Sequence, residues 1–76
     1  MENAEVERLI KAGLPGCLVS VTGDGRHFEA VVVSEEFAGK SPLQKQRLVM
    51  ATVRKQIDSD ELHALSIKTL TPAEAE

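Results

Sequence analysis

Two runs of alternating residues, separated by Gly23-Asp24-Gly25, dictate the start of any fold for this chain. From Cys17 to Thr22, Cys17, Val19 and Val21 fall on one face and Leu18, Ser20 and Thr22 on the other. A period of two defines a strand, because successive side chains point to opposite faces. After the glycines a second strand runs from about His27 to Val33, with Phe28, Ala30 and Val32 on its core side. Two such runs around a Gly-Asp-Gly turn predict an antiparallel hairpin. A hairpin alone is marginal in water, so the flanking segments have to cover its apolar face.

Those segments read as helices. Asn3 to Ala12 carries a cap candidate in Asn3, acidic Glu5 and Glu7 at the positive end, and an apolar stripe of Val6, Leu9 and Ile10. Gly13 supplies a stop, and Leu14-Pro15-Gly16 a turn. Ser34 caps a short helical turn through Glu35, Glu36 and Phe37, which Gly39 ends. Ser41-Pro42 starts a long helix to about Ile57, with Leu43, Met50, Val53 and Ile57 on the buried side and Val49 beside them. Asp58-Ser59-Asp60 breaks it. Leu62 to Thr69 is a third strand, with His63, Leu65 and Ile67 on one face and Leu62, Ala64, Ser66 and Lys68 on the other. Thr71-Pro72-Ala73-Glu74 then has the spacing of a capping box, announcing a last helix that is cut to about one turn by the end at Glu76.

A helical crossover between the second and third strands makes them parallel neighbours. The predicted fold is therefore α+β, in the order αββααβ, with a three-stranded mixed sheet covered by helices on one face. At 76 residues the chain makes one domain, residues 1–76.

Composition excludes several functions. Aromatic residues are 3% of the chain, which argues against reading single-stranded nucleic acid by base stacking. The net charge of −3 is the reverse of a dedicated nucleic-acid binder's field. With one cysteine, Cys17, no internal disulfide forms, and the chain suits a reducing cytoplasm. Met1-Glu2-Asn3 lacks the basic start of a signal peptide, and Ala30 to Val33 is too short an apolar run to span a bilayer.

Gly39-Lys40-Ser41 is not a phosphate-binding loop, since Ser34 stands where its first glycine belongs. Gly23-Asp24-Gly25 is not a dinucleotide fingerprint, since Phe28 takes the place of the third glycine. Without a catalytic triad spacing, HExxH or CxxC, the chain does not read as an enzyme. Cys17 reads as a core residue. Lys40, Lys45, Arg47, Arg54 and Lys55 cluster on and before the long helix, either as a solvated face or as a polyanion surface.

The two histidines are placed by the topology. His27 begins the second strand and His63 the third, so parallel pairing brings both to one edge of the sheet. Two imidazoles contribute to a metal site without completing it, so the remaining ligands have to come from a partner or a small thiol.

Three blocks of sequence carry a resemblance. They are Val21-Thr22-Gly23-Asp24-Gly25-Arg26-His27-Phe28, then Val32-Val33-Ser34 with Phe37-Ala38-Gly39-Lys40, and His63-Ala64-Leu65-Ser66-Ile67-Lys68-Thr69 with Thr71-Pro72-Ala73-Glu74. Together, with Lys45-Gln46 in the long helix, they resemble the BolA family, and most of all its IbaG-like branch. The resemblance implies a fold like the class II KH domain. It also implies a monothiol glutaredoxin partner, with a [2Fe-2S] cluster held by the glutaredoxin cysteine, glutathione and ligands from the BolA-like chain. The family's C-terminal ligand histidine falls on His63. Its other ligand lies in the loop between the first two strands, where His27 is the good donor.

Two features depart from the family. The chain ends at Ala75-Glu76, where the family usually continues into a full final helix, and Cys17 lies outside the ligand loop. The resulting expectation is a non-enzymatic, cytoplasmic adaptor for cluster trafficking or iron homeostasis, with no cofactor held tightly by the chain alone. A transcriptional regulator binding DNA through Lys40, Lys45, Arg47, Arg54 and Lys55 is the alternative. A KH-type RNA clamp is disfavoured because Pro42 replaces the second glycine of Gly39-Lys40-Ser41-Pro42. Beyond the glutaredoxin, a second copy of the chain and duplex DNA are the partners left open.

Overall fold

The computed structural model describes residues 1–62 and 64–76. Helix α1 (Asn3–Gly13) leads through a turn to strand β1 (Leu18–Gly23) and its hairpin partner β2 (His27–Val33). A single 3-10 turn (Glu35–Phe37) precedes helices α2 (Pro42–Thr52) and α3 (Arg54–Asp58), strand β3 (Ala64–Leu70) and a one-turn helix α4 (Pro72–Ala75). The sheet order is β1-β2-β3, with β1 antiparallel and β3 parallel to β2. The strand order and strand directions are those expected from the residue pattern.

The alternation in β2 decides which face is covered. Phe28, Ala30 and Val32 are buried, and in register with them lie Val19 and Val21 on β1 and Leu65, Ile67 and Thr69 on β3. Val6 and Ile10 of α1, Val49 of α2, and Val53 and Phe37 complete one core on that face. Burying aliphatic area at ~25 cal/mol per Å² is the main stabilising force available to a chain so poor in aromatics. The opposite face is open. Leu18, Val33 and Leu70 form an apolar row across its three strands at one end, and Leu18 is 70% exposed.

Two contacts dock α1 on the sheet and on α2. Glu7 Oε1 accepts a hydrogen bond from the Val21 backbone N–H at 3.2 Å, satisfying an amide of the edge strand. Gly13 lets α1 approach α2 closely, because a Cβ there would collide with the Thr52 side chain.

Four local expectations need correction. Asn3 does not cap α1. Glu2 does, with its N–H donating to Glu5 Oε1 at 3.3 Å, while Asn3 Oδ1 is buried with no hydrogen-bond partner. The long helix from Ser41 to Ile57 is two helices, because Val53 leaves helical geometry at φ −121° and ψ 16°. Next to the break, the Thr52 hydroxyl donates to the Val49 carbonyl at 2.6 Å, the kind of back-bonding that bends helices. Leu43 is 59% exposed rather than buried. Val49 centres the buried side, and six residues of helix put Leu43 about 120° away from it. Leu62, expected as the first residue of the third strand, instead lies ahead of β3, buried, with its N–H donating to the Gln56 carbonyl at 3.0 Å.

The caps at Ser34, Ser41 and Thr71 are as expected, each side chain accepting from a backbone amide of its first turn. Among the described residues, no helix is long and apolar enough to cross a membrane.

Candidate functional site

The β1–β2 turn presents His27, and Asp24 builds the turn. Asp24 Oδ1 accepts from the backbone N–H of both Arg26 and His27, each at 2.9 Å. The Asp24 N–H donates in return to the His27 carbonyl at 3.3 Å. This is an Asx-type turn, in which the side chain stands in for backbone. Gly25 sits at φ +96°, the region that favours glycine. The first residue after this fixed loop is His27, opening β2 on the outward side, opposite Phe28.

The imidazole is exposed beside the Asp24 carboxylate. His27 Nδ1 lies 3.9 Å from Asp24 Oδ2, close enough for an ion pair when the ring is protonated, and the side chain is 77% exposed. At that distance the carboxylate is a neighbouring charge rather than a hydrogen-bond partner, and both ring nitrogens stay open to a ligand. Hydrogen bonds from the His27 and then the Arg26 amide hold the Asp24 carboxyl below its ordinary range. Asp24 therefore remains anionic beside the ring at neutral pH.

The parallel register pairs His27 with Ala64, the first residue of β3. His63, which precedes Ala64 in the chain, lies outside the described residues. Among the described residues, no three His, Cys, Asp or Glu side chains gather as a metal site. Cys17 lies at the other end of the β1–β2 ladder, 7% exposed, and burial pushes its thiol pKa up.

The basic residues do not form one helical face. Lys40 precedes α2, and its Nζ donates to the Glu36 carbonyl at 2.7 Å. On α2, Lys45 and Arg47 point about 160° apart, and Lys45 adds a small contribution to the lowered Glu74 carboxyl pKa, which the Thr71 backbone and side-chain hydrogen bonds mainly produce. Arg54 and Lys55 belong to α3, beyond the break at Val53. The expected basic surface on one long helix is thus spread over a turn and two helices.

Asp24 is the residue that sequence reasoning underused. It read only as part of a turn, although an Asp followed by Gly and a strand is the local signal of a side chain bonding amides two and three residues on.

A three-stranded mixed sheet with helices on one face defines a small α+β domain of the BolA type. Residues 8–74 match the family model for BolA-like protein, and the chain belongs to the BolA family. It is 40% identical over 74 residues to the acid stress protein IbaG of Escherichia coli (strain K12), covering 97% of this chain and 88% of that protein. Among solved structures, a bolA protein homologue from Coxiella burnetii superposes with a TM-score of 0.89 at 41% identity, covering 99% of this chain and 96% of that one. BolA1 from Arabidopsis thaliana superposes with a TM-score of 0.82 at 27% identity over the full length of both chains.

Proposed function

We propose that this BolA-family chain is a non-enzymatic adaptor that shares a glutathione-ligated [2Fe-2S] cluster with a monothiol glutaredoxin, through His27 and His63. The cluster is cargo, passed on in trafficking or iron regulation. The observation that carries the reading is the His27 turn. One carboxylate fixes the backbone that presents an exposed imidazole, and that residue is the register partner of Ala64 at the start of β3. Neutral imidazole is a suitable ligand for an iron–sulfur centre, where replacing thiolate by histidine raises the reduction potential. It also releases on protonation, which suits transfer rather than storage.

The test is reconstitution with a monothiol glutaredoxin, glutathione, iron and sulfide, followed by visible absorption and circular dichroism. A heterocomplex spectrum distinct from that of glutaredoxin alone supports the reading, and an unchanged spectrum overturns it. Duplex DNA binding has weaker support, because the basic residues diverge and the net charge is −3. A salt titration separates the two, since phosphate contacts impose a steep salt slope.

A further inference from the structure

The far end of the sheet carries a second surface. A cleft of about 440 Å³ opens there, with Leu18, Val33 and Pro72 among its lining residues. Glu35, Glu36 and Glu76 also line it, and among the described residues no basic or aromatic residue does, the nearby Lys40 ammonium being bonded to the Glu36 carbonyl. Leu18 is 70% exposed on an edge strand, where a large aliphatic side chain gains nothing from water. An apolar floor with carboxylates around it is complementary to one kind of occupant, a large apolar side chain flanked by positive charge.

We propose that this cleft docks a basic, amphipathic segment of another protein, its apolar side chain seated on Leu18 and Val33 and its Lys or Arg residues facing Glu35, Glu36 and Glu76. The six residue-steps of β2 from His27 to Val33 put the cleft about 20 Å from the histidine edge. A partner here leaves His27 free, so one chain can hold two proteins at opposite ends of its sheet. The docking surface stands on the cleft alone and does not depend on cluster ligation.

The experiment selects a random-peptide display library against the folded protein, then measures the enriched peptides free in solution by fluorescence anisotropy. Enriched sequences should carry Leu, Ile, Met or Phe beside Lys or Arg. Their affinity should fall about tenfold with Leu18→Asn, the loss of a central apolar anchor. It should fall about three- to tenfold with Glu35→Gln plus Glu36→Gln, as two surface ion pairs allow, and it should weaken with salt. Amide shifts of the isotope-labelled protein should concentrate at Leu18, Val33 and Glu35. Thermal melts confirm that the variants fold, and Arg47→Glu should leave binding unchanged. No enrichment, enrichment of acidic or uncharged peptides, or binding indifferent to both sets of substitutions would overturn the proposal. Self-association through Leu18 in place of peptide binding would overturn it equally.

Discussion

Replacing Gly25 by valine isolates the backbone cost of the turn that presents His27. Gly25 sits at φ +96°, and a Cβ built there meets no atom within 4 Å. The added Cβ therefore meets no collision beyond the chain neighbours, and the main penalty is the residue's own conformation. For a residue with a Cβ, positive φ costs about 1–2 kcal/mol, and a β-branched side chain lies at the upper end. For a domain of this size each kcal/mol moves the melting temperature by roughly 4–8 °C, so Gly25→Val should melt about 5–15 °C lower. Gly25→Asn should lose less, because asparagine tolerates left-handed backbone.

Gly16 provides the control. It has φ +85° and equally open surroundings, but it lies in the turn before β1. Gly16→Val should lower the melting temperature by a similar amount without touching the His27 loop. The paired assay is a thermal melt of each variant, plus the absorption and dichroism of each mixed with glutaredoxin and reconstituted. Only Gly25→Val should alter the cluster spectrum. A Gly25→Val melting point within about 2 °C of wild type would refute the strain argument. Equal spectral effects from both variants would refute the link between the turn and the ligand.

His63→Ala should change the cluster's spectrum and release rate in the heterocomplex while costing the fold under ~1.5 kcal/mol, and His27→Ala should do the same to a lesser degree; wild-type spectra from His63→Ala would sink the ligand assignment. Arg47→Glu with Lys55→Glu should weaken any duplex DNA binding in an electrophoretic or anisotropy titration and leave cluster binding measurable, and joint loss without unfolding would contradict separate surfaces. Asp24→Asn removes a carboxylate whose folded pKa is lowered from 3.8, chiefly by the His27 and Arg26 amides. A depressed folded pKa contributes stability above the unfolded value and loses it as pH falls through the folded one. Chemical denaturation should therefore find the wild type ahead of Asp24→Asn at neutral pH, with the gap closing below about pH 4. A gap that stayed constant to lower pH would refute the charge-assisted turn.

The parts of the fold that were legible in the sequence are those in which one residue's environment follows from its neighbours. Phe28, Ala30 and Val32 alternate cleanly, and they are the buried residues of β2. The caps at Ser34, Ser41 and Thr71 are short-range chemistry and fall where the sequence put them. The break at Val53 was hidden because Val49, Val53 and Ile57 keep helical spacing straight through it. Hydrophobic period records which side faces the core, not whether one backbone angle departs from the helix. Leu62 continues the apolar run of the third strand in sequence, but it packs in the core ahead of β3 rather than within it. At the site, the position of His27 at the start of β2 was readable, whereas its orientation was not. The Asp24 oxygen 3.9 Å from Nδ1 depends on how the turn folds, which spacing alone does not encode.

The Glu7 carboxylate that accepts from the Val21 amide also bears on how this molecule behaves in a crowd. β1 is a terminal strand of the sheet, and an unpaired amide there is an invitation to a neighbouring chain. By occupying that amide with a charged side chain from its own first helix, the molecule withdraws one rung from intermolecular strand pairing. Any foreign strand would have to displace a carboxylate and bring its own backbone alongside α1. The β1 edge is thereby less receptive to a foreign strand at this rung, while β3 forms the sheet's other edge.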